Sequence, residues 1–188
     1  MENIESIVDV GVTADRTQIA SNFFENLYPH PERITAFSNQ NASWMEKEYK
    51  GLTFKQGTAL EMPFKNGAFE LVFSSAVIEH VGSNRNQRAF IKECFRITNK
   101  YVFITTPSRH YPIELHTAIP LIHWFPKRIH RKLLKIMGKD FFALEENLNL
   151  LTKNELKIIC DESGIKKYKI LTAKFLGLPS NLLLLIEK

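Results

Sequence analysis

Short runs of β-branched and aromatic residues recur along the chain, each followed by a segment whose apolar residues fall three or four apart. Ser6-Ile7-Val8-Asp9-Val10 is the first run. It stops at Gly11, and Ile19, Phe23 and Leu27 then continue in helical register, with Asp15 and Gln18 placed as a capping box for that helix. Arg33-Ile34-Thr35-Ala36-Phe37 predicts a second strand, Asn41 to Tyr49 a short helix, and Leu52-Thr53-Phe54-Lys55 a third strand. Phe69-Glu70-Leu71-Val72-Phe73, after the turn signal Lys65-Asn66-Gly67, predicts a fourth; Phe90, Cys94 and Ile97 then mark one face of a helix. Tyr101-Val102-Phe103-Ile104 is the fifth strand and stops near Pro107. Alternation of this kind predicts an α/β domain built on a parallel sheet.

From Ser108 to Leu151 the alternation breaks. Pro112, Pro120 and Pro126 interrupt apolar, histidine-bearing sequence, which predicts an insertion or lid within a single domain spanning 1–188. Thr152-Lys153-Asn154-Glu155 is a second capping box, opening a helix that Gly164 can end. Lys166 to Thr172 and Asn181 to Glu187, joined through Gly177-Leu178-Pro179-Ser180, are spaced to pair as an antiparallel hairpin.

Composition narrows the picture. With 188 residues, 44% hydrophobic and 24% charged, the chain is long enough for one core without a disulfide or metal staple, and disorder is excluded. Two cysteines, Cys94 and Cys160, both in predicted helices, suit a reducing compartment. Met1-Glu2-Asn3 opens no export signal and no run reaches a membrane span, so the expected location is cytoplasmic. The net charge of +5 is local: six basic residues and no acid fall between Lys127 and Lys139, leaving the remainder close to neutral.

Five βα-type units followed by a hairpin resemble the class I S-adenosylmethionine-dependent methyltransferase family, especially its quinone and other small-molecule members. The residues that carry the resemblance run from Pro63-Phe64 through Phe69-Glu70-Leu71-Val72-Phe73-Ser74-Ser75-Ala76-Val77-Ile78-Glu79-His80-Val81, together with Asp9-Val10-Gly11 and Gly57. It implies a three-layer, doubly wound, mostly parallel seven-stranded sheet with an antiparallel C-terminal hairpin. It also implies S-adenosylmethionine as cofactor, bound by Asp9, Gly11, Thr13, Ser38, Asn39, Thr58, Ala59 and Ser74. Four positions depart from the family. Thr13 and Asp15 replace the later glycines of the first loop, Ser38 stands where an acid holds the ribose, and Thr58 stands where an aspartate often faces adenine. A carboxylate at Asp15 disfavours pyrophosphate at a helix start, and hence NAD, FAD and ATP, without excluding a sulfonium. The first strand begins about five residues from Met1, so the helices that cover the cofactor in the family have no counterpart in this sequence. That predicts an open pocket, or one completed by a partner or substrate.

Ligands of open α/β sheets lie beyond the carboxyl ends of the strands, which places the insertion on the substrate side. Glu114, His116 and His123 are its candidate polar groups, with His80 facing them from the end of the fourth strand. His80 or His116 is the candidate base for an oxygen or nitrogen acceptor, with Glu114 beside it. The simpler reading makes Glu79-His80 a cap or solvated pair, and has His116 and His123 hydrogen-bonding backbone. Glu114-Leu115-His116 offers two metal ligands, but there is no His-Glu-x-x-His motif and the thiols of a zinc site are missing, so no metal is expected.

Trp124-Phe125-Pro126 and the basic run after it read as an amphipathic basic helix, suited to peripheral contact with an anionic membrane over 124–139, or simply packed on the sheet. The expected partner is a small-molecule, carbohydrate or lipid-linked acceptor, and nucleic acid is disfavoured because no aromatic–basic platform accompanies the charge. The competing class is an inactive binding or scaffold protein of the same fold. Gly11, Ser38 and Thr58 walling one pocket favours the enzyme, whereas Phe37, Trp44 or Met62 filling it favours the scaffold.

Overall fold

A computed structural model of the chain describes residues 4–17 and 21–188. Among these residues seven strands form one sheet: β1 (Ile7–Val10), β2 (Ile34–Ser38), β3 (Thr53–Gln56), β4 (Phe69–Ser75), β5 (Thr98–Pro107), β6 (Tyr168–Phe175) and β7 (Leu178–Glu187). Their order is β3-β2-β1-β4-β5-β7-β6. The first five are parallel, and β7 joins both β5 and β6 antiparallel. β1 lies between β2 and β4 and is buried along its whole length, as expected of a central parallel strand covered on both faces. The chain leaves β1 toward β2 on one side and reaches β4 on the other, so a crevice opens at the carboxyl end of β1.

Among the described residues six helices accompany the sheet: α1 (Phe23–Leu27), α2 (Met45–Glu48), α3 (Asn84–Ile97), α4 (Lys127–Ile136), α5 (Asp140–Ala143) and α6 (Lys153–Glu162). Phe90, Ile91, Cys94 and Ile97 of α3 and Leu156, Ile159 and Cys160 of α6 pack with Val8, Val10 and Phe37 on one face. Ile34 and Ala36, alternating with Phe37 along β2, face the opposite way onto Val12, Ala42, Met45 and Leu52. Two layers thus sandwich the sheet. Both cysteines are free thiols inside the first layer, and burial pushes Cys160 up to about 12. No helix among the described residues is long and apolar enough to cross a membrane.

Several local expectations change. The helix expected from Asp15 is described only as the short α1, with Gln18 and Ile19 outside the described residues. Asp15 caps no described helix; its Oδ1 accepts from the Thr17 amide at 2.8 Å and hydroxyl at 2.7 Å. The helix expected over Asn41 to Tyr49 is a single turn, α2. The hairpin turns at Leu176-Gly177, with φ of +51° and +78°, rather than at 177–180, and its strands are correspondingly longer. Positive φ at both positions of a two-residue loop matches the twist of the flanking strands.

The second capping box forms as expected: Thr152 Oγ1 accepts from the Glu155 amide at 3.1 Å and Glu155 Oε2 from the Thr152 amide at 2.8 Å. Gly164, at φ +78°, ends α6, with the Ile165 amide returning to the Cys160 carbonyl at 3.2 Å. The segment 108–151 leaves and rejoins the body at one place, where Ser108 bridges Leu151 and the Arg109 amide donates to the Leu151 carbonyl at 3.0 Å. It carries a 3-10 turn, Ile122–Trp124, then α4 and α5.

Candidate functional site

Three strand ends and the insertion enclose a chamber of about 520 Å³. β1 contributes Gly11 and Thr13 from the loop after it, β2 contributes Ser38 and Asn39, and the loop after β3 contributes Thr58 and Ala59. Gly11 holds φ +104°, and a Cβ there would fall 2.1 Å from Val77 Cγ2, so the loop after β4 lies directly against its backbone. The Gly57 amide donates to the Ser38 carbonyl at 2.9 Å, and a Cβ on Gly57 would meet the Phe37 ring at 2.8 Å. Both glycines therefore keep backbone close to neighbours that shape the wall. Phe37 is itself core, edge-on to Phe64 at 5.4 Å, while Trp44 and Met62 lie away from the lining. The loop replacing the missing glycines is held by Asn22, whose Oδ1 accepts from the Thr13 amide at 2.9 Å and whose Nδ2 donates to the Thr13 carbonyl at 3.0 Å.

Asp9 and Ser74 stand behind this chamber. The Ser74 hydroxyl donates to the Val10 carbonyl at 2.7 Å inside the sheet and is wholly buried. Asp9 faces an adjoining cavity of about 270 Å³ that shares Gly11, Val12, Thr13 and Ala76 with the first. Its carboxyl is buried beside that of Glu25 of α1, and Glu25 receives no donor from elsewhere among the described residues. Burial raises both groups, and for Asp9 the charge of Glu25 adds to it, so the site favours the protonated form of each carboxyl.

His80 ends a 3-10 turn, Ile78–His80, after β4 and lines the chamber. The chain reaches that turn through Ala76, a non-glycine at φ +55° whose amide donates to the Thr105 carbonyl at 2.9 Å. His116 comes from the insertion, and its Nε2 lies 3.0 Å from His80 Nε2, with the rings edge to face. The outer nitrogens are held: His80 Nδ1 donates to the Asn147 carbonyl at 2.6 Å, and His116 Nδ1 to Glu114 Oε1 at 2.6 Å. Glu114 also accepts from the His116 amide at 2.9 Å and from the Thr117 amide and hydroxyl at 2.7 and 2.6 Å. Burial opposes its charge, yet these donors outweigh it and hold Glu114 at about 2. Burial likewise opposes charge on His116, and the Glu114 carboxylate overcomes it, raising His116.

Glu79 is neither a cap nor solvated. It is fully buried, one oxygen accepts from Thr106 Oγ1 at 2.9 Å, the other has no partner among the described residues, and burial raises it. Glu79, His80 and His116 bring one ligand atom each within 4.8 Å of one another. The metal-capable pair suggested by spacing, Glu114 with His116, is thus replaced by a trio in which Glu114 only orients a ring. His123 follows the simpler reading, its Nε2 donating to the Tyr111 carbonyl at 2.7 Å. Burial lowers His123 and, with His123 nearby, lowers His130 to about 4.

Phe141, Glu146 and Asn147 of the insertion also line the chamber, and no sequence signal marked them. Asn149 fixes them in place. Its amide donates to the Glu79 carbonyl at 2.7 Å, its Nδ2 to the Gly82 carbonyl at 2.7 Å, and its Oδ1 accepts from Lys127 Nζ at 2.8 Å. On α4, His130 and Leu134 face inward, while Ile129 and Ile136 are exposed together with Trp124, Phe125, Met137 and Phe141. Leu134 is thus covered, whereas Ile129, Ile136 and Met137 are left uncovered.

Comparison with known proteins agrees with this architecture. Residues 20–104 match a family model described as a methyltransferase domain. An S-adenosylmethionine-dependent methyltransferase of Methanosarcina mazei superposes with a TM-score of 0.63 at 13% identity, over 100% of this chain and 94% of that one. A methyltransferase of Thermotoga maritima, described as a possible histamine N-methyltransferase, gives 0.61 at 16%, over 100% and 84%. The N-methyltransferase NodS of Bradyrhizobium japonicum, in complex with S-adenosyl-L-homocysteine, gives 0.58 at 11%, over 98% and 78%. The strand order, the crevice beside β1 and the superpositions together give this chain the class I methyltransferase fold, and its residues 20–104 are similar to a methyltransferase domain.

Proposed function

We propose that the chain binds S-adenosylmethionine in the chamber at the carboxyl ends of β1, β2 and β3 and transfers its methyl group to an oxygen or nitrogen of an acceptor held on the His80 side. The carrying observation is that Gly11, Ser38 and Thr58, from three separate strand ends, wall one chamber of about 520 Å³ with His80 in its lining. That volume falls within the roughly 300–1,000 Å³ of small-ligand sites. The lining offers hydroxyl and amide groups from Thr13, Ser38, Asn39, Gln40 and Thr58, suited to a ribose and a base, and among the described residues that line it there is no lysine or arginine.

S-adenosylmethionine, when bound, supplies an electrophilic methyl group on a sulfonium. In the chamber it would be held by Gly11, Ser38, Asn39 and Thr58; an acceptor there would exchange its proton for that methyl group, the thioether being left behind, and the His80–His116 pair would take the proton. Most of the rate comes from holding acceptor and methyl in line, which the Asn147 and Asn149 contacts to the His80 turn serve. Phe141 belongs both to the chamber lining and to the exposed apolar set around α4, where Arg128, Lys132 and Lys135 are exposed. That continuity supports an amphiphilic or lipid-linked acceptor presented from an anionic membrane surface.

The test is calorimetric titration of the full chain with S-adenosylmethionine and, separately, S-adenosylhomocysteine. One saturable site is expected, lost in Thr58→Trp, whose exposed position lets the indole fill the chamber without disturbing the core. No heat and no thermal shift at millimolar ligand would overturn the reading.

A further inference from the structure

The space between His80 and His116 needs an occupant. The Asn147 carbonyl only accepts, so the proton of a neutral His80 sits on Nδ1 and its Nε2 presents a bare lone pair. The Glu114 carboxylate fixes His116 in the same tautomer. With both rings neutral, two lone pairs whose nitrogens lie 3.0 Å apart repel unless they share an electrophile, a proton or a metal cation. The wholly buried Glu79 stands beside them with one carboxylate oxygen lacking any donor among the described residues. A buried oxygen of that kind is costly without a compensating partner.

We propose that His80, His116 and Glu79 form a binding site for a divalent transition-metal cation, with the two Nε2 atoms and a Glu79 oxygen as protein ligands. Metal–imidazole bonds of about 2.0–2.1 Å place two nitrogens on one ion roughly 3 Å apart, the separation these rings already have. Each ring also donates its other N–H to a carboxylate or backbone carbonyl, the arrangement that orients metal-ligating histidines. Glu79 completes the set by rotating about its own side-chain bonds, since the three ligand atoms lie within 4.8 Å of one another. Two imidazoles and one carboxylate suit zinc, iron(II) or cobalt(II), whereas magnesium and calcium prefer oxygen alone.

Three protein ligands leave the remaining positions for an outside group, and His80 opens them onto the chamber. An acceptor hydroxyl bound there would lose its proton to solvent more readily, the cation standing where the shared proton otherwise lies. Only this role rests on the methyl-transfer reading; the existence of the site does not.

The full chain, stripped with chelator and dialysed, is titrated with Zn²⁺ alone by calorimetry and with Co²⁺ alone by visible absorption, without cofactor or acceptor. One equivalent per chain is expected. His116→Gln and Glu79→Gln should each weaken uptake at least about tenfold, and Glu114→Gln about 10–100-fold through loss of ring orientation. His30→Gln and His110→Gln should bind as the parent does. Circular dichroism and thermal melting of each variant separate lost ligands from lost fold. No saturable uptake by the folded chain, or uptake unchanged in a folded His116→Gln variant, would overturn the proposal and leave a proton as the sole occupant. Thr58→Trp separates the two readings: it should abolish S-adenosylmethionine binding and still take up one cation.

Discussion

Gln87 of α3 donates through Nε2 to the Asn149 carbonyl at 2.8 Å and to the Ile78 carbonyl at 3.1 Å, tying the end of the insertion to the turn that carries His80. Both side chains are buried, and Asn149 adds its own bonds to Glu79, Gly82 and Lys127. The position of His80 relative to the insertion is therefore set by a buried polar network rather than by apolar packing alone.

Asn149→Leu removes the side-chain part of that network and leaves the Gly82 carbonyl and the Lys127 ammonium without this partner. We expect a loss of about 2–3 kcal/mol, read from urea unfolding, because groups left unpaired in the interior cost more than the bond they lose. A loss under about 0.5 kcal/mol would place the restraint elsewhere.

Gly11 and Gly138 both hold positive φ, +104° and +69°, but only Gly11 lies against another chain segment. Gly138→Ala should cost about 1 kcal/mol through the backbone alone. Gly11→Ala should cost clearly more, since the Val77 side chain must also move, and should weaken S-adenosylmethionine binding. Equal melting temperatures for the two variants would show that the close approach at Gly11 carries no energy.

The Asp9–Glu25 pair makes stability depend on pH. Both carboxyls are raised in the folded chain, so the folded state binds more protons than the unfolded one above the ordinary carboxylate range. Their contribution is fully present below the unfolded value of about 4 and is lost as pH rises through the folded values. Glu25→Gln replaces one of the two raised carboxyls by a neutral amide. The fall in melting temperature between pH 5 and pH 8 should shrink in this variant, and an unchanged slope would assign the dependence to other groups.

The surface of α4 predicts its own behaviour toward lipid. Anionic vesicles should carry the chain in flotation and neutral vesicles should not, with binding falling as salt rises. Reversing Lys132 and Lys135 to Glu should abolish flotation while leaving the inward-facing His130 and Leu134 untouched. No flotation with anionic vesicles would remove the membrane from the proposed acceptor route, and flotation that survives the reversal would remove α4 as the contact.

β1, β4, β5 and the hairpin are legible in sequence because each is a run of β-formers bounded by glycine, proline or a turn signal; burial on both faces removes the need for alternation in β1, whereas the hairpin strands alternate. The α6 capping box is legible because its two hydrogen bonds join residues three apart. The wall of the chamber could be placed from sequence because the carboxyl ends of parallel strands meet at a fixed point of the topology, which gathers Gly11, Ser38 and Thr58. The contacts that give the site its chemistry are of another kind. His80 meets His116 across 36 residues, His80 meets the Asn147 carbonyl across 67, and Gln87 meets Asn149 across 62. The Asp9–Glu25 pairing and the outward turn of Ile129 and Ile136 depend likewise on how an irregular segment docks. Local propensity and spacing fix what neighbouring residues do to one another; which distant side chains share a desolvated space is decided only when the loops close over the sheet.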